Sequence, residues 1–436
     1  LQMTDKLRRV AVVGGTRIPF CRSNTLYADL SNLDMMTAAL NGLVDRYKLA
    51  GKHIDDVVGG AVVTHSKDWN MAREAVLGTK LAPSTPGTTM MQACGTSLQA
   101  ATAIGAKIAT GEIESGIAMG SDTTSDPPIV FSKKFSKRLT GLAMQKKPMD
   151  KLKVFAGLSP KELAPLPPSV AEPRTGLTMG QHCELMAKTW EISREAQHQQ
   201  AIESPKKAAA AYDSGYMDSL IVPCAGEFRD TNNRPEASME KLSTLKTVID
   251  KSAQGTLTAA NSTPLTDGAA AVLLCSEDWA TANGLPVKAY LTYAQTSAND
   301  FVNGDGLLMA PTIAVSKMLE RAGLALQDFD FYEIHEAFAA QVLSTLKAWN
   351  DPEYCREKLG RDAPLGEIDR TKMNVKGSSI AVGHPFAATG ARIVANLAEL
   401  LDQHGGRGLI SVCTAGGMGV AAIMESAKAA EVKQAA

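Results

Sequence analysis

One structural plan occurs twice in this 436-residue chain, and that repetition limits its fold more than any other feature. Residues 94–122 read CGTSLQAATAIGAKIATGEIESGIAMGSD: a turn opening on cysteine, a small-residue helix, a glycine stop and an apolar strand ending in Gly-Ser-Asp. Residues 384–419, HPFAATGARIVANLAELLDQHGGRGLISVCTAGGMG, repeat the order, from a turn opening on histidine to a strand ending in glycines. Two similar α/β halves are implied, each offering reactive side chains at the same topological points. The chain opens on a further buried strand, RVAVVGGT at 9–16.

Between the halves the character changes. SKKFSKRLTGLAMQKKPMDKLK is rich in lysine and PLPPSVAEP in proline, which marks an excursion from the core. Residues 131–153 hold eight basic side chains (Lys133, Lys134, Lys137, Arg138, Lys146, Lys147, Lys151 and Lys153) against one acid, Asp150. Such a run is either a solvated helix face or a docking surface for a partner or a membrane. The string GTLTAANSTPLTDGAAAVLLCSE at 255–277 returns to the core style, and a linker near 284–290 leads into the second half.

Lys+Arg 45 against Asp+Glu 46 leaves a net charge of -1, so no global basic field points to nucleic acid. Seven scattered cysteines, without a C-x-x-C pair and odd in number, suggest neither a disulfide framework nor a metal site; a reducing, cytoplasmic setting fits them. No run approaches transmembrane length, the first residues lack an apolar signal core, and the terminal KQAA is not a peroxisomal address. Leu1 and Gln2 read as a leftover ahead of Met3.

Cys94 in MMQACGTSLQAA stands at the turn before a helix, whose free N–H groups and positive end would lower its pKa and make it a nucleophile. A cysteine can equally well just pack. His384 in NVKGSSIAVGHPFAATGA occupies the matching turn of the second half, as a base for that thiol or as a helix cap. Cys413 in ISVCTAGGMG ends an apolar strand, a usual place for sites in α/β folds, and could exchange a proton with a substrate carbon. His335 in FYEIHEAFAAQ follows another strand end.

Taken together, these four strings resemble the thiolase family over nearly the whole chain. The resemblance implies the thiolase fold: two duplicated α/β halves in a layered αβαβα arrangement with an inserted loop domain. The first half would be 1–125 completed by 247–288, the loop domain 126–246 and the second half 289–436. It further implies a 3-ketoacyl-CoA thiolase that cleaves 3-oxoacyl-CoA with CoA through an acyl-cysteine. Cys94 would be the nucleophile, His384 its base, Cys413 the acid/base at the acetyl α-carbon, and His335 part of the oxyanion site for the enolate. The backbone N–H groups of Cys94 and Ala415 would form the second oxyanion site.

Many thiolases carry Asn at the His335 position, and HEAFAAQ resembles the fatty-acid-oxidation branch that includes trifunctional-enzyme β subunits. Ser378 and Ala415 stand where glycine is common, and alanine takes a positive φ less readily. Met179, Arg234, Thr263, Ala337 and Phe338 align with positions lining the CoA channel, with CoA as co-substrate and no tightly bound cofactor. Relatives form homodimers or homotetramers, so self-association is expected, with a β-oxidation partner subunit or a membrane surface as further candidates at 131–153. A decarboxylating ketosynthase would need His or Asn in place of Cys413. An acetoacetyl-CoA thiolase, or a catalytically silent acyl-CoA-binding protein, remains a competing reading.

Overall fold

The computed structural model describes residues 7–428, so Leu1, Gln2 and the terminal KQAA lie outside the described residues. Its ten strands are β1 (Ala11–Arg17), β2 (Cys21–Arg22), β3 (Asp56–Gly60), β4 (Gly87–Thr89), β5 (Ser115–Asp122), β6 (Thr266–Cys275), β7 (Ala289–Ala298), β8 (Phe331–Ile334), β9 (Arg407–Thr414) and β10 (Met418–Ser426). They run in the order β4-β3-β5-β6-β1-β7-β10-β9-β8, with β2 paired to β6 off this path. Both copies of the repeated plan fold as their patterns predict: helix Thr96–Ala109 leads into β5, and helix Thr389–His404 into β9.

In each half, parallel strands reached through helical crossovers meet one antiparallel strand, β6 beside β5 and β10 beside β9. The first half is thus completed by a strand from 266–275, beyond the excursion. Instead of two separate sheets, the halves share an edge: Ala11 pairs Tyr290 and Val12 pairs Ala289 between β1 and β7. Two residue pairs suffice because the helices below, not the ladder, carry the association. The proposed linker near 284–290 is short, since β7 already begins at Ala289.

Small residues explain the layering. Helices Thr96–Ala109 and Thr389–His404 share one core in which Leu98, Ile104 and Leu397 pack with Val12, Val272, Val412 and Val420 from both halves. Helices Asn32–Arg46 and Met71–Leu77 cover the far face of the first half, and Ala310–Ala322 with Ala339–Trp349 cover that of the second. The sequence of layers is therefore helix, sheet, helix pair, sheet, helix. The two central helices touch backbone to backbone: a Cβ on Gly390 would meet Leu98 N at 2.3 Å and Leu98 Cα at 2.9 Å.

The stretch 126–246 has two parts. Helices Lys133–Met144 and Pro148–Lys153 bury no residue, whereas Met179–Thr189 and Arg194–Asp213 each bury a face against the body. Arg138 is not a free surface charge: its guanidinium pairs Glu162 at 2.8 Å and donates to Val154 O at 2.7 Å, tying the exposed helices together.

Because the central contact has no room, Gly390→Ala should overpack it and cost about 1–3 kcal/mol of stability. Gly141, in an exposed helix where an added Cβ would meet no atom within 4 Å, is the matched comparison. Gly141→Ala should be neutral or stabilise by up to about 1 kcal/mol. Denaturant midpoints measure both, and equal shifts would contradict the packing assigned to Gly390.

Candidate active site

Cys94 sits in the 3₁₀ turn Ala93–Gly95, directly before helix Thr96–Ala109. Its neighbour Ala93 has φ 46°, a left-handed conformation that costs a non-glycine residue about 1–2 kcal/mol. Thr96 holds this strained turn: its Oγ1 accepts from Gln92 N at 2.9 Å and donates to Ala93 O at 2.7 Å. Gly95 lies flat on the second half, where a Cβ would meet Thr414 Cγ2 and Val420 Cγ2 at 2.9 Å. The nucleophile candidate of one half is thereby delivered to the strand ends of the other.

His384 arrives from the opposite side. Its turn is held by Asp122, which accepts from Ala387 N at 2.8 Å, and Ala391 N donates to Ser97 Oγ at 2.7 Å. His384 Nε2 lies 3.1 Å from Cys94 Sγ, and its Nδ1 lies 2.6 Å from Thr389 Oγ1. This is proton-transfer distance between a thiol and an imidazole. The His335 ring lies beside it, 4.2 Å between centroids and tilted by 51°. The Cys94 sulfur and one ring nitrogen of each of the two histidines lie within 4.8 Å of one another. His335 Nδ1 meets Ser379 Oγ at 2.8 Å, and its buried Nε2 has no partner.

Burial decides the charges here, and it overturns one expectation. The helix N-terminus predicts a thiolate at Cys94, and the Ala415 and Cys94 backbone N–H groups do favour it. Desolvation outweighs them, with a small addition from Asp122, and pushes the thiol up to about 12. Burial, then Arg392, lowers His384 to about 3. The resting pair is a neutral thiol and a neutral imidazole. Cys413 is buried on β9, and its thiol is raised well above the ordinary range by desolvation and by Cys94 and Cys183. Ala415 avoids positive φ, because Gly416 (80°) and Gly417 (67°) make the turn.

A cleft of about 870 Å³, within the range of small-molecule sites, is lined by none of Cys94, His335, His384 and Cys413 but reaches Ile380, the neighbour of Ser379. Arg234, Thr263 and Phe338 line it, together with Arg22, which sequence reasoning missed. Met179 and Ala337 do not line it; they pack in the apolar cluster around Cys413. Arg234 is exposed and donates to Asn233 O at 2.9 Å. Thr263 links cleft to centre, for its Oγ1 donates to Ser379 O at 3.0 Å. Ser379, Arg392, Thr389 and Asp122 were also missed; only their placement near the motif strings could have hinted at them.

The chain is similar to known proteins along nearly its whole length. The "Thiolase, N-terminal domain" family matches residues 10–278 and the "Thiolase, C-terminal domain" family residues 285–426. A 3-ketoacyl-CoA thiolase of Shewanella baltica is 43% identical over 432 residues, covering 97% of this chain and 98% of that protein. Among solved structures, the acetyl-CoA acetyltransferase of Bacillus anthracis superposes with TM-score 0.80 at 26% identity, covering 97% of this chain and 100% of that one. Human mitochondrial 3-ketoacyl-CoA thiolase superposes with TM-score 0.79 at 27% identity, covering 96% and 99%. With both family domains matched in order along nearly its whole length, the chain belongs to the thiolase family and has the thiolase fold.

Proposed function

We propose that this chain is a 3-ketoacyl-CoA thiolase acting in fatty-acid β-oxidation, with Cys94, His384, Cys413 and His335 as its catalytic residues. The observation that carries the reading is the 3.1 Å contact between Cys94 Sγ and His384 Nε2, buried beside Cys413 and the unpartnered Nε2 of His335. His384 takes the Cys94 proton as sulfur attacks the 3-keto carbon, and the backbone N–H groups of Cys94 and Ala415 hold the resulting oxyanion. The bond between C2 and C3 then breaks. His335 stabilises the enolate oxygen of the departing acetyl-CoA while the Cys413 thiol protonates its carbon. His384 then passes its proton to the Cys413 thiolate, takes up that of an incoming CoA thiol as its sulfur attacks the acyl-Cys94 thioester, and hands it to the departing Cys94 sulfur.

Coenzyme A enters as co-substrate along the cleft, where Arg22 and Arg234 offer cations to its phosphates and Thr263 and Phe338 lie toward the centre. Met179 and Ala337 support that wall from behind. The division at 1–125 with 247–288, 126–246, and 289–436 fits the completion of the first half by β6. Trp69, Leu77 and Met91, exposed on either side of the edge strand β4, support a homodimer or homotetramer built through the first half. Seven free cysteines support a reducing, cytoplasmic setting, and among the described residues no helix is long and apolar enough to cross a membrane. Exposed Phe131, Met144, Met149 and Leu152 interleave with the lysines of 131–153, which favours an anionic membrane surface there over a partner subunit. Co-sedimentation with anionic but not neutral vesicles checks this.

Adding CoA and a series of 3-oxoacyl-CoA substrates from C4 to C16 should produce loss of the enolate absorbance, with substrates longer than C4 turned over. Turnover of the C4 substrate alone would favour an acetoacetyl-CoA thiolase, and none at all a silent acyl-CoA binder. Mass spectrometry should find the acyl adduct on the Cys94 peptide, and Cys94→Ala should abolish both adduct and turnover.

A neutral resting thiol has its own signature. Alkylation of Cys94 by iodoacetamide, followed on its peptide, should climb about tenfold per pH unit between pH 6 and 9, because only the thiolate reacts. A rate already level from pH 5 would mean a thiolate–imidazolium pair.

A further inference from the structure

His335 and His384 lie side by side, yet the reaction asks opposite things of the nitrogen each turns toward the substrate. His384 must present a bare nitrogen to a thiol, and His335 an N–H to an oxyanion. Imidazole alone does not decide between these tautomers; the partner on the other ring nitrogen does. For His384 that partner is Thr389 Oγ1, which can accept from Nδ1–H and so leaves Nε2 free to accept from Cys94.

His335 has a differently prepared partner. Ser379 Oγ lies 2.8 Å from His335 Nδ1 and 3.0 Å from Arg392 Nη2, and these are its hydrogen-bond partners. A guanidinium only donates. Arg392 therefore occupies a lone pair of Ser379 and leaves the hydroxyl hydrogen with one place to go, the Nδ1 of His335. Nδ1 is then an acceptor and the ring's single hydrogen sits on Nε2, a buried atom with no hydrogen-bond partner among the described residues, on a ring that lies beside His384. Burial supports the neutral ring, since desolvation lowers the His335 pKa well below its usual value, with His384 and Arg392 adding to the effect. Arg392 itself is 5% exposed, and the fields of the Glu333 and Glu336 carboxylates favour its charge against the burial that opposes it.

We propose that Ser379 and Arg392 are positioning residues that fix His335 as the Nε2–H tautomer, opposite to that of its neighbour His384. This rests on the reading of His335 as an oxyanion donor. The relay makes a neutral imidazole serve as a preformed donor without a proton having to arrive during turnover. Ser379 opens the short buried helix Ser379–Val382, where the apolar Ile380, Ala381 and Val382 follow.

Nitrogen-15 spectra of histidine-labelled protein read the tautomer directly, with His335 assigned by the loss of its signals in His335→Asn. The expected spectrum has a protonated Nε2 and a bare Nδ1 for His335, and the reverse for His384. In Ser379→Ala the His335 pattern should become mixed, and kcat for thiolysis should fall on the order of 10-fold, with KM little changed and acyl exchange between acyl-CoA and CoA retained. A protonated Nδ1 on His335 in the parent enzyme, or an unaltered pattern in Ser379→Ala, would overturn the proposal. If instead His335→Ala leaves thiolysis intact while the spectra come out as expected, the oxyanion role of His335 fails and the tautomer assignment stands.

Discussion

Everything in this structure depends on how closely two helices can approach at their N-terminal ends. Gly390 lies against the backbone of Leu98, and Ser97 both donates to Ala387 O and accepts from Ala391 N. These contacts join the turn carrying Cys94 to the turn carrying His384 through a few covalent bonds on either side. The runs of alanine and glycine in both helices are the requirement for that approach, since a larger side chain would push the turns apart by more than a hydrogen bond allows. The strand ladders could tolerate such a displacement, being joined between halves by two residue pairs. The 3.1 Å contact between thiol and imidazole could not.

Close packing also excludes water, and this sets the chemistry. A buried charge without a partner is expensive, so the site rests with Cys94 as thiol and both histidines neutral. In the proposed mechanism charge appears only when substrate does, at the Ala415 and Cys94 amides near the sulfur and at the Nε2 of His335. At the cysteine turn, strain falls on Ala93, whose left-handed backbone is held by Thr96. The enzyme thus stores its organisation in backbone placement and hydrogen-bond direction more than in net charge.

Much of this was legible in the sequence, for a reason tied to the repeat. Periodic small residues identify a helix packed on both sides, and a glycine stop followed by an apolar run identifies the strand after it; both copies fold that way. Cys94, His384, Cys413 and His335 could be singled out because they sit at element boundaries that the pattern itself locates. What escaped depends on contacts between distant segments. Nothing in GSSIAVGHP distinguishes Ser379, which faces His335, from Ser378, and Arg392 reads as an ordinary helical arginine until its guanidinium is seen to face Ser379. The expected low pKa of Cys94 erred because a helix N-terminus is visible in sequence and the depth of burial is not. Arg138 reads as one more free charge among the lysines for the same reason; its partners lie at Val154 and Glu162.

The division of labour between two thiols is the claim on which the rest converges, and Cys413→Ala tests it most directly. The variant keeps Cys94, His384 and the two backbone amides, so it should still exchange acyl groups between acyl-CoA and CoA through Cys94. Its thiolysis of 3-oxoacyl-CoA, compared with the parent enzyme, should fall on the order of 10²-fold or more for want of an acid at the departing carbon. Thiolysis near the parent rate, with exchange likewise intact, would show that Cys413 carries no proton and that the two-thiol mechanism is wrong.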